Sequence, residues 1–479
     1  MSPRARKVLR WTAGIVGALV LVIGGLVWWG LSSEGAAKLL IAKALGGGNG
    51  AVEIGAVHGR LRGPLYLTRV TTKAPTYAAT IDSMVLEWTP SGLIRRQVRI
   101  DRLHVVGLHI VLPDSAPRDT APKRPKLPMD VLLRDVLVQG LTVDAPGDIR
   151  IRNGTVRLDG RAENYRIAAH ATVAAPALKS AAPLDLTGRG NLEQMTLSRA
   201  AAGVLDGRVL VAGRVGWYPR VSWNLAVQAD RVRPATMLAD PSAWPGLVTA
   251  WARTEGQIDT IGPVGRAVVD SISGELRKQP LRGTLAVNFA GQRYEIPAAD
   301  ISWGSAHAVA SGLVADSVDL RYDMNIGNLA TAMPGARGAL AMKGTAAGPR
   351  LTPRIVTTVD GRGLAFGTNR LARLTGRADV NLAEGGQNIV DLRAERATVG
   401  ATVIDRITMA LRGTQANHRV TATANAPQGT LRLALAGRLR NKAWAGRIGA
   451  LDLQSTTAGH WLLERSAALS ANAQAAALG

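Results

Sequence analysis

A chain of 479 residues with no cysteine excludes disulfides, thiolate zinc sites, cysteine nucleophiles and lipoprotein acylation. Lysine and arginine total 58 against 35 acidic residues, a formal charge of +23. Such a charge suits contact with anionic lipid or nucleic acid and speaks to association, not to fold. The apolar share is 47%, carried by Ala, Val, Leu and Ile, with Phe289 and Phe366 as the only phenylalanines. The length allows two or three domains, or one elongated repeat array.

The chain opens on a basic tip, Arg4, Arg6, Lys7 and Arg10, ahead of 21 uncharged residues from Trp11 to Leu31. At ~1.5 Å per residue a helix of that length crosses a ~30 Å hydrocarbon core. Trp11, Trp28 and Trp29 stand near its ends as interfacial anchors. The positive-inside bias keeps the tip cytoplasmic and puts everything after Leu31 outside. A cleaved signal peptide is the rival, but its apolar region runs to about 7–15 residues and ends in an A-x-A-like site, which is not found here. Residues 1–31 are therefore expected to be a cytoplasmic tip and a single-pass membrane anchor, with the bulk of the chain outside.

Residues 32–50 read as a short amphipathic helix. Ser33 can cap it, Ala36, Leu39, Leu40 and Lys43 give the spacing, and Gly46 can stop it. It serves either as a stalk on the outer surface of the membrane or as a plain connector. From 51 onward the period changes from 3.6 to 2.

The stretch IDRLHVVGLHIVL, Ile100 to Leu112, sets the β pattern. Leu103 and Val105 are apolar on odd numbers, Leu108, Ile110 and Leu112 on even ones. Successive strand side chains alternate between faces, so the apolar face changes parity across Gly107. A β-bulge or corner with an extra residue produces such a change, and glycine tolerates it. His104 and His109 fall on the polar side. The pattern returns 33 residues later as Val136, Val138, Leu141 and Val143, with Gly140 where Gly107 stood. Weaker copies are Leu65, Leu67, Val70, Thr72 and Leu392, Ala394, Ala397, Val399. Unbroken alternation marks Met84, Leu86, Trp88; Val209, Val211, Val215, Trp217; and Ile407, Met409, Leu411.

Two segments interrupt the strands: the proline-rich loop 113–128, and a helical turn and loop within Arg233 to Arg253. The predicted layout is 51–112 as a first β segment, 113–128 as the loop, and 129–479 as continuing repeats. About 30 strands at ~4.8 Å spacing would extend ~140 Å.

Catalytic, cofactor-binding and metal sites are all expected to be absent. No G-x-S-x-G, Walker A, G-x-G-x-x-G or H-E-x-x-H occurs, and Gly304 to His307 pairs Ser305 with His307 only in sequence. His58, His170, His418 and His460 read as solvated strand residues. Nucleic acid is an unpromising partner, because aromatic platforms among the basic residues are sparse.

The order of blocks, from VEIGAVHGRLRGPLYLTRVTTKAP through IDSMVLEWTPSGLIRRQVRIDRLHVVGLHIVLP to the proline-rich loop, resembles the N-terminal part of the TamB family, within the wider AsmA-like proteins. LTGRGNLEQMTLSRAAAGVLDGRVLVAGRVGWYPRVSWNLAV and LRGTLAVNFAGQRYEIPAADISWGSAHAVASG continue the likeness. The resemblance implies a mostly β, elongated periplasmic β-taco behind the single anchor helix, forming an open groove with an apolar interior. It also implies work between the inner and outer membranes, as phospholipid movement, as outer-membrane protein assembly with a TamA-like barrel partner, or as both. Family members end in a further domain that meets the barrel. Here the chain reaches Gly479 within a repeat, so that contact is expected to be missing.

On this reading Leu65, Leu67, Leu103, Val105, Leu108, Ile110, Val136, Val138, Leu141 and Val143 line a lipid groove, with Gly107 and Gly140 as strand corners. Alternating strands close dry sandwiches and solenoids with the same pattern, so periodicity leaves both open. A lipid conduit predicts that Val105→Asp or Val138→Asp blocks function without unfolding the chain. A scaffold for outer-membrane proteins predicts strand donation from an exposed edge instead.

Overall fold

The computed structural model describes residues 52–59, 64–74, 77–112, 129–176, 178, 180–237, 242, 244–440, 443–471 and 476–478. The anticipated anchor at 1–31, the helix at 32–50 and the loop at 113–128 lie outside them. The described residues form strands joined by turns, with short 3-10 turns such as Pro90–Arg95 and Pro234–Met237. Among them no helix is long and apolar enough to cross a membrane.

The chain divides into two compact units, Met1–Lys278 and Gln279–Gly479. Unit one carries β1 (Val52–Gly59), β2 (Leu65–Ala74), β3 (Tyr77–Thr89), β4 (Gln97–Val111), β5 (Asp130–Ala145), β6 (Ile149–Arg161) and β7 (Asn164–Ala174). It continues with β8 (Ala182–Gly190), β9 (Gln194–Val204), β10 (Gly207–Gly216), β11 (Ser222–Val232), β12 (Gly246–Asp259) and β13 (Gly262–Leu276). Each strand pairs antiparallel with the next, with one exception. β4 and β5 are parallel, and their register is the sequence repeat itself: Leu103 faces Val136, Val105 faces Val138 and Ile110 faces Val143.

Unit two carries β14 (Gln279–Ala290), β15 (Arg293–Trp303), β16 (Ala306–Val314), β17 (Ser317–Ile326), β18 (Ala336–Pro349), β19 (Arg354–Phe366), β20 (Asn369–Asn381) and β21 (Asn388–Val399). β22 (Thr402–Gly413), β23 (His418–Ala426), β24 (Gly429–Arg440), β25 (Ala443–Ser455), β26 (Gly459–Leu462), β27 (Ala467–Ala471) and β28 (Ala476–Leu478) complete it. From β14 to β25 it is an unbroken antiparallel meander. β26 and β27 then share the outer edge of β25.

In unit one the change of apolar parity runs across neighbouring strands as a row. It falls at Arg69 of β2, Asp82 of β3, Gly107 of β4, Gly140 of β5 and Asn153 of β6. Apart from Asp82 these residues are left-handed, with φ between 52° and 70°. The expectation of an extra residue at Gly107 is corrected. Ser83 pairs with Val106 and Ile81 with Leu108, so β3 and β4 stay in step there and turn together. The β5–β6 and β6–β7 registers are irregular around Gly140 and Asn153, and further shifts occur one segment earlier, at Asp101–Arg102 of β4 and Arg134–Asp135 of β5. These earlier shifts make a second corner that the sequence reading missed.

Each of these two strands therefore has three straight segments, and each segment buries two side chains. In β4 the pairs are Val98 and Ile100, Leu103 and Val105, Leu108 and Ile110. In β5 they are Val131 and Leu133, Val136 and Val138, Leu141 and Val143. These residues belong to one buried apolar core, which reaches from β2 to β9. Full burial of each is worth about 1.5–3 kcal/mol.

Candidate apolar trough

In unit two, residues facing one side of the sheet connect through consecutive registers into rows that cross the strands. One row runs Gly283, Ile301, Ala308, Met324, Met342, Val359, Gly376, Leu392, Met409, Ala422, Leu433 and Leu451. It crosses twelve strands without a polar side chain, a path of about 50 Å at ~4.8 Å per strand. None of these residues is sealed: all are half-buried except Ile301, which is 39% exposed.

The bend explains the openness. In β19 to β22 the apolar parity changes once per strand, at Arg362–Gly363, Ala372–Arg373, Glu395–Arg396 and Asp405–Arg406. Gly363 and Arg396 are left-handed there. One corner gives two walls and leaves a side uncovered. The opposite face is polar and laced with ion pairs between neighbouring strands, such as Arg354 with Asp379 and Arg412 with Asp391. The hydrogen bond from Arg354 is the main reason the Asp379 carboxyl lies below its ordinary range, as the one from Arg253 is for Asp270.

One margin of the trough is polar. Asn388, Gly413, His418, Gly437 and Gly446 form the row there. His418 is buried, which corrects its expected place as a solvated strand residue. Its Nδ1–H donates to the Thr414 carbonyl at 3.0 Å, and its Nε2 accepts from the Trp444 indole at 2.7 Å. The indole lies where side chains on Gly437 and Gly446 would have stood.

The residues anticipated as lining fall in unit one. Leu103, Val105, Leu108, Ile110, Val136, Val138, Leu141 and Val143 lie in one core, each 6% exposed or less; Leu67 packs against it half-buried, and Leu65 is half-buried as well. A Cβ on Gly107 would sit 1.9 Å from Asp82 Oδ2, and one on Gly140 would meet the Gly107 backbone at 3.5 Å. His104 and His109 face outward and bridge to the parallel strand, His104 to Asp135 at 2.8 Å and His109 to Thr142 at 2.7 Å. His170, His307 and His460 likewise each reach one aspartate. Among the described residues no group of three His, Asp or Glu could hold a metal ion. Tyr165 is the outlier of the core, since its hydroxyl is buried with no partner and burial pushes its pKa up to about 12. Trp11, Trp28, Trp29, Arg4, Arg6, Lys7 and Arg10 lie outside the described residues.

The half-exposed trough itself was not singled out from the sequence. Alanine and glycine occupy many of its positions, which dilutes the apolar signal, although Ile407, Met409, Leu411 and the weaker copy at Leu392 mark part of it.

The sequence profile of the TamB N-terminal domain matches residues 116–478. The chain is also 20% identical over 335 residues to the translocation and assembly module subunit TamB of Haemophilus influenzae. That alignment covers 69% of this chain and 26% of that protein, so the chain spans about a quarter of the relative's length.

Proposed function

The chain belongs to the TamB N-terminal domain family, and from that premise we propose that it is an inner-membrane-anchored periplasmic protein that carries phospholipid acyl chains in its apolar trough. The observation carrying this reading is the row from Gly283 to Leu451, apolar across twelve strands and left half-exposed. Contact with hydrocarbon is worth about 0.8 kcal/mol per buried methylene and needs no directional partner. Aliphatic walls of Leu, Met, Val and Ala therefore hold a chain without fixing its position, which suits sliding. The headgroup stays outside, where arginines are plentiful. Residues 1–31 hold the chain in the inner membrane with the tip cytoplasmic, and the reading assigns it no catalytic step.

Mass spectrometry of the full chain, purified in mild detergent, tests the proposal. Phospholipid is expected to co-purify, and to be lost from a Leu392→Asp, Met409→Asp variant that keeps its β circular dichroism. A folded parent chain free of phospholipid sinks it.

A second reading is a scaffold for outer-membrane barrel proteins, in concert with a TamA-like partner that a further domain would meet. One observation favours it: among the described residues β1 is paired on one side only, by β2, and an unpaired edge can accept a strand. Binding of an unfolded barrel segment, with no lipid found, would select it.

A further inference from the structure

We propose that the core around β4 and β5, which reaches from β2 to β9, is a closed section that excludes lipid, and that acyl chains are admitted only in the half-exposed trough of β14–β25. The proposal rests on the lipid reading above. It comes from the number of corners per strand. β4 and β5 turn twice, so three walls face one interior and their side chains meet in the middle. Val105, Val138 and Val156 are 4%, 0% and 5% exposed, in one buried core with Leu103, Val136 and Leu158. A lipid chain could enter only by displacing them, trading close-packed apolar contacts for equivalent ones with no net drive.

The strands β19–β22 turn once. Leu392 and Met409 lie on the apolar face of their own unit, as Val105 and Val138 do in theirs, but remain half-exposed. A methylene laid over them removes apolar surface from water and displaces no protein atom. The two regions share the pattern of alternating aliphatic residues and differ in how far it is covered: sealed in the first, half-exposed in the second. The carrying surface then does not begin where the strands begin. Cargo joins from the open face of β14–β25, and the strands around β4 and β5 serve as a rigid, sealed element.

The chain's lack of cysteine makes single-cysteine variants clean reporters. Val105→Cys, Val138→Cys, Leu392→Cys and Met409→Cys are made in the full chain, purified in detergent and labelled with N-ethylmaleimide, with and without added phosphatidylethanolamine. Circular dichroism checks each fold, and Val156→Cys replaces any core variant that fails the check. Leu392→Cys and Met409→Cys are expected to label readily and to be slowed by the lipid. Val105→Cys and Val138→Cys are expected to label at least about 100-fold more slowly until urea is added, because they react only through local opening. Core cysteines that label as fast as trough cysteines in a folded chain overturn the closed section, whatever the lipid does. Trough cysteines that label readily and are indifferent to lipid overturn the lipid reading, and with it the cargo proposed here.

Discussion

Gly107 and Gly140 lie side by side in parallel strands with nearly the same backbone, φ 70° and 67°, yet a methyl group meets different surroundings at each. Both alanine variants carry the left-handed cost of about 1–2 kcal/mol. Gly107→Ala must in addition push aside Asp82, whose Cβ stands 2.9 Å from the new methyl. We expect Gly107→Ala to cost about 2–4 kcal/mol and Gly140→Ala about 1–2 kcal/mol, read as the difference between their urea midpoints. Asp101 holds the other corner. Burial acts to raise its pKa, but hydrogen bonds from Thr89 and Arg99 and the charges of Arg99 and Arg134 leave it below 3.8. A carboxyl depressed in the folded state contributes stability that is present above its unfolded pKa and lost as pH falls through the folded value. Asp101→Asn should therefore lower the melting temperature at pH 7, with the deficit shrinking below about pH 4 and vanishing once both states are protonated. At the trough margin, Trp444→Phe strips His418 Nε2 of its donor. A destabilisation of about 1–3 kcal/mol is expected, measured by denaturation of the full chain.

At the scale of the strand, an aspartate distinguishes a filled interior from an open one. Sequence alone predicted that Val138→Asp would block function and spare the fold. With Val138 wholly buried between walls, an unpaired carboxylate there costs several kcal/mol, so Val138→Asp is expected to lose β signal at a lower temperature. Leu392→Asp, at the half-exposed equivalent, is expected to melt within a few degrees of the parent. The strands themselves were legible. Alternation marked β3, β4, β5 and β22, and the 33-residue repeat turned out to be the register of the parallel pair. The weaker copy at Leu392–Val399 also located a corner, at Arg396. Away from glycine a corner is carried by the alternation alone, because arginine or asparagine in a left-handed conformation, as at Arg69, Asn153 and Arg396, leaves no compositional mark. The earlier corner was missed for a related reason. Asp101–Arg102 and Arg134–Asp135 read as ordinary polar surface, though both are shifts of register. Whether an interior is filled depends on how many walls close on it, which alternation within one strand does not encode.

For the whole molecule, the two units spend similar residues differently. Unit one places Val, Ile and Leu in one sealed core, and unit two leaves its aliphatic rows half-covered with alanine and glycine among them. Stability should therefore be concentrated in the first and exchange in the second. Amide hydrogen exchange of the full chain is expected to show the slowest protons in β4 and β5. The anchor reading has its own test at this scale. Residues 32–479 behind a cleavable export signal should appear in the soluble periplasmic fraction, whereas the full chain should stay with the inner membrane.

The parallel step between β4 and β5 bears on how such a sheet can lengthen. A meander that grows by hairpins adds strands two at a time and keeps up and down in alternation. A single added strand repeats its neighbour's direction, so the chain must travel back across the sheet before it can lie alongside. β4 ends at Val111 and β5, its parallel partner of matching pattern, begins at Asp130. Removing one 33-residue period would thus take out one strand and one return together. It would restore strict alternation, because β3, β4 and β6 would then follow one another by ordinary turns. Counted in directions instead of residues, the repeat is an odd number inserted into an even series, and the parallel pair is where the odd number shows.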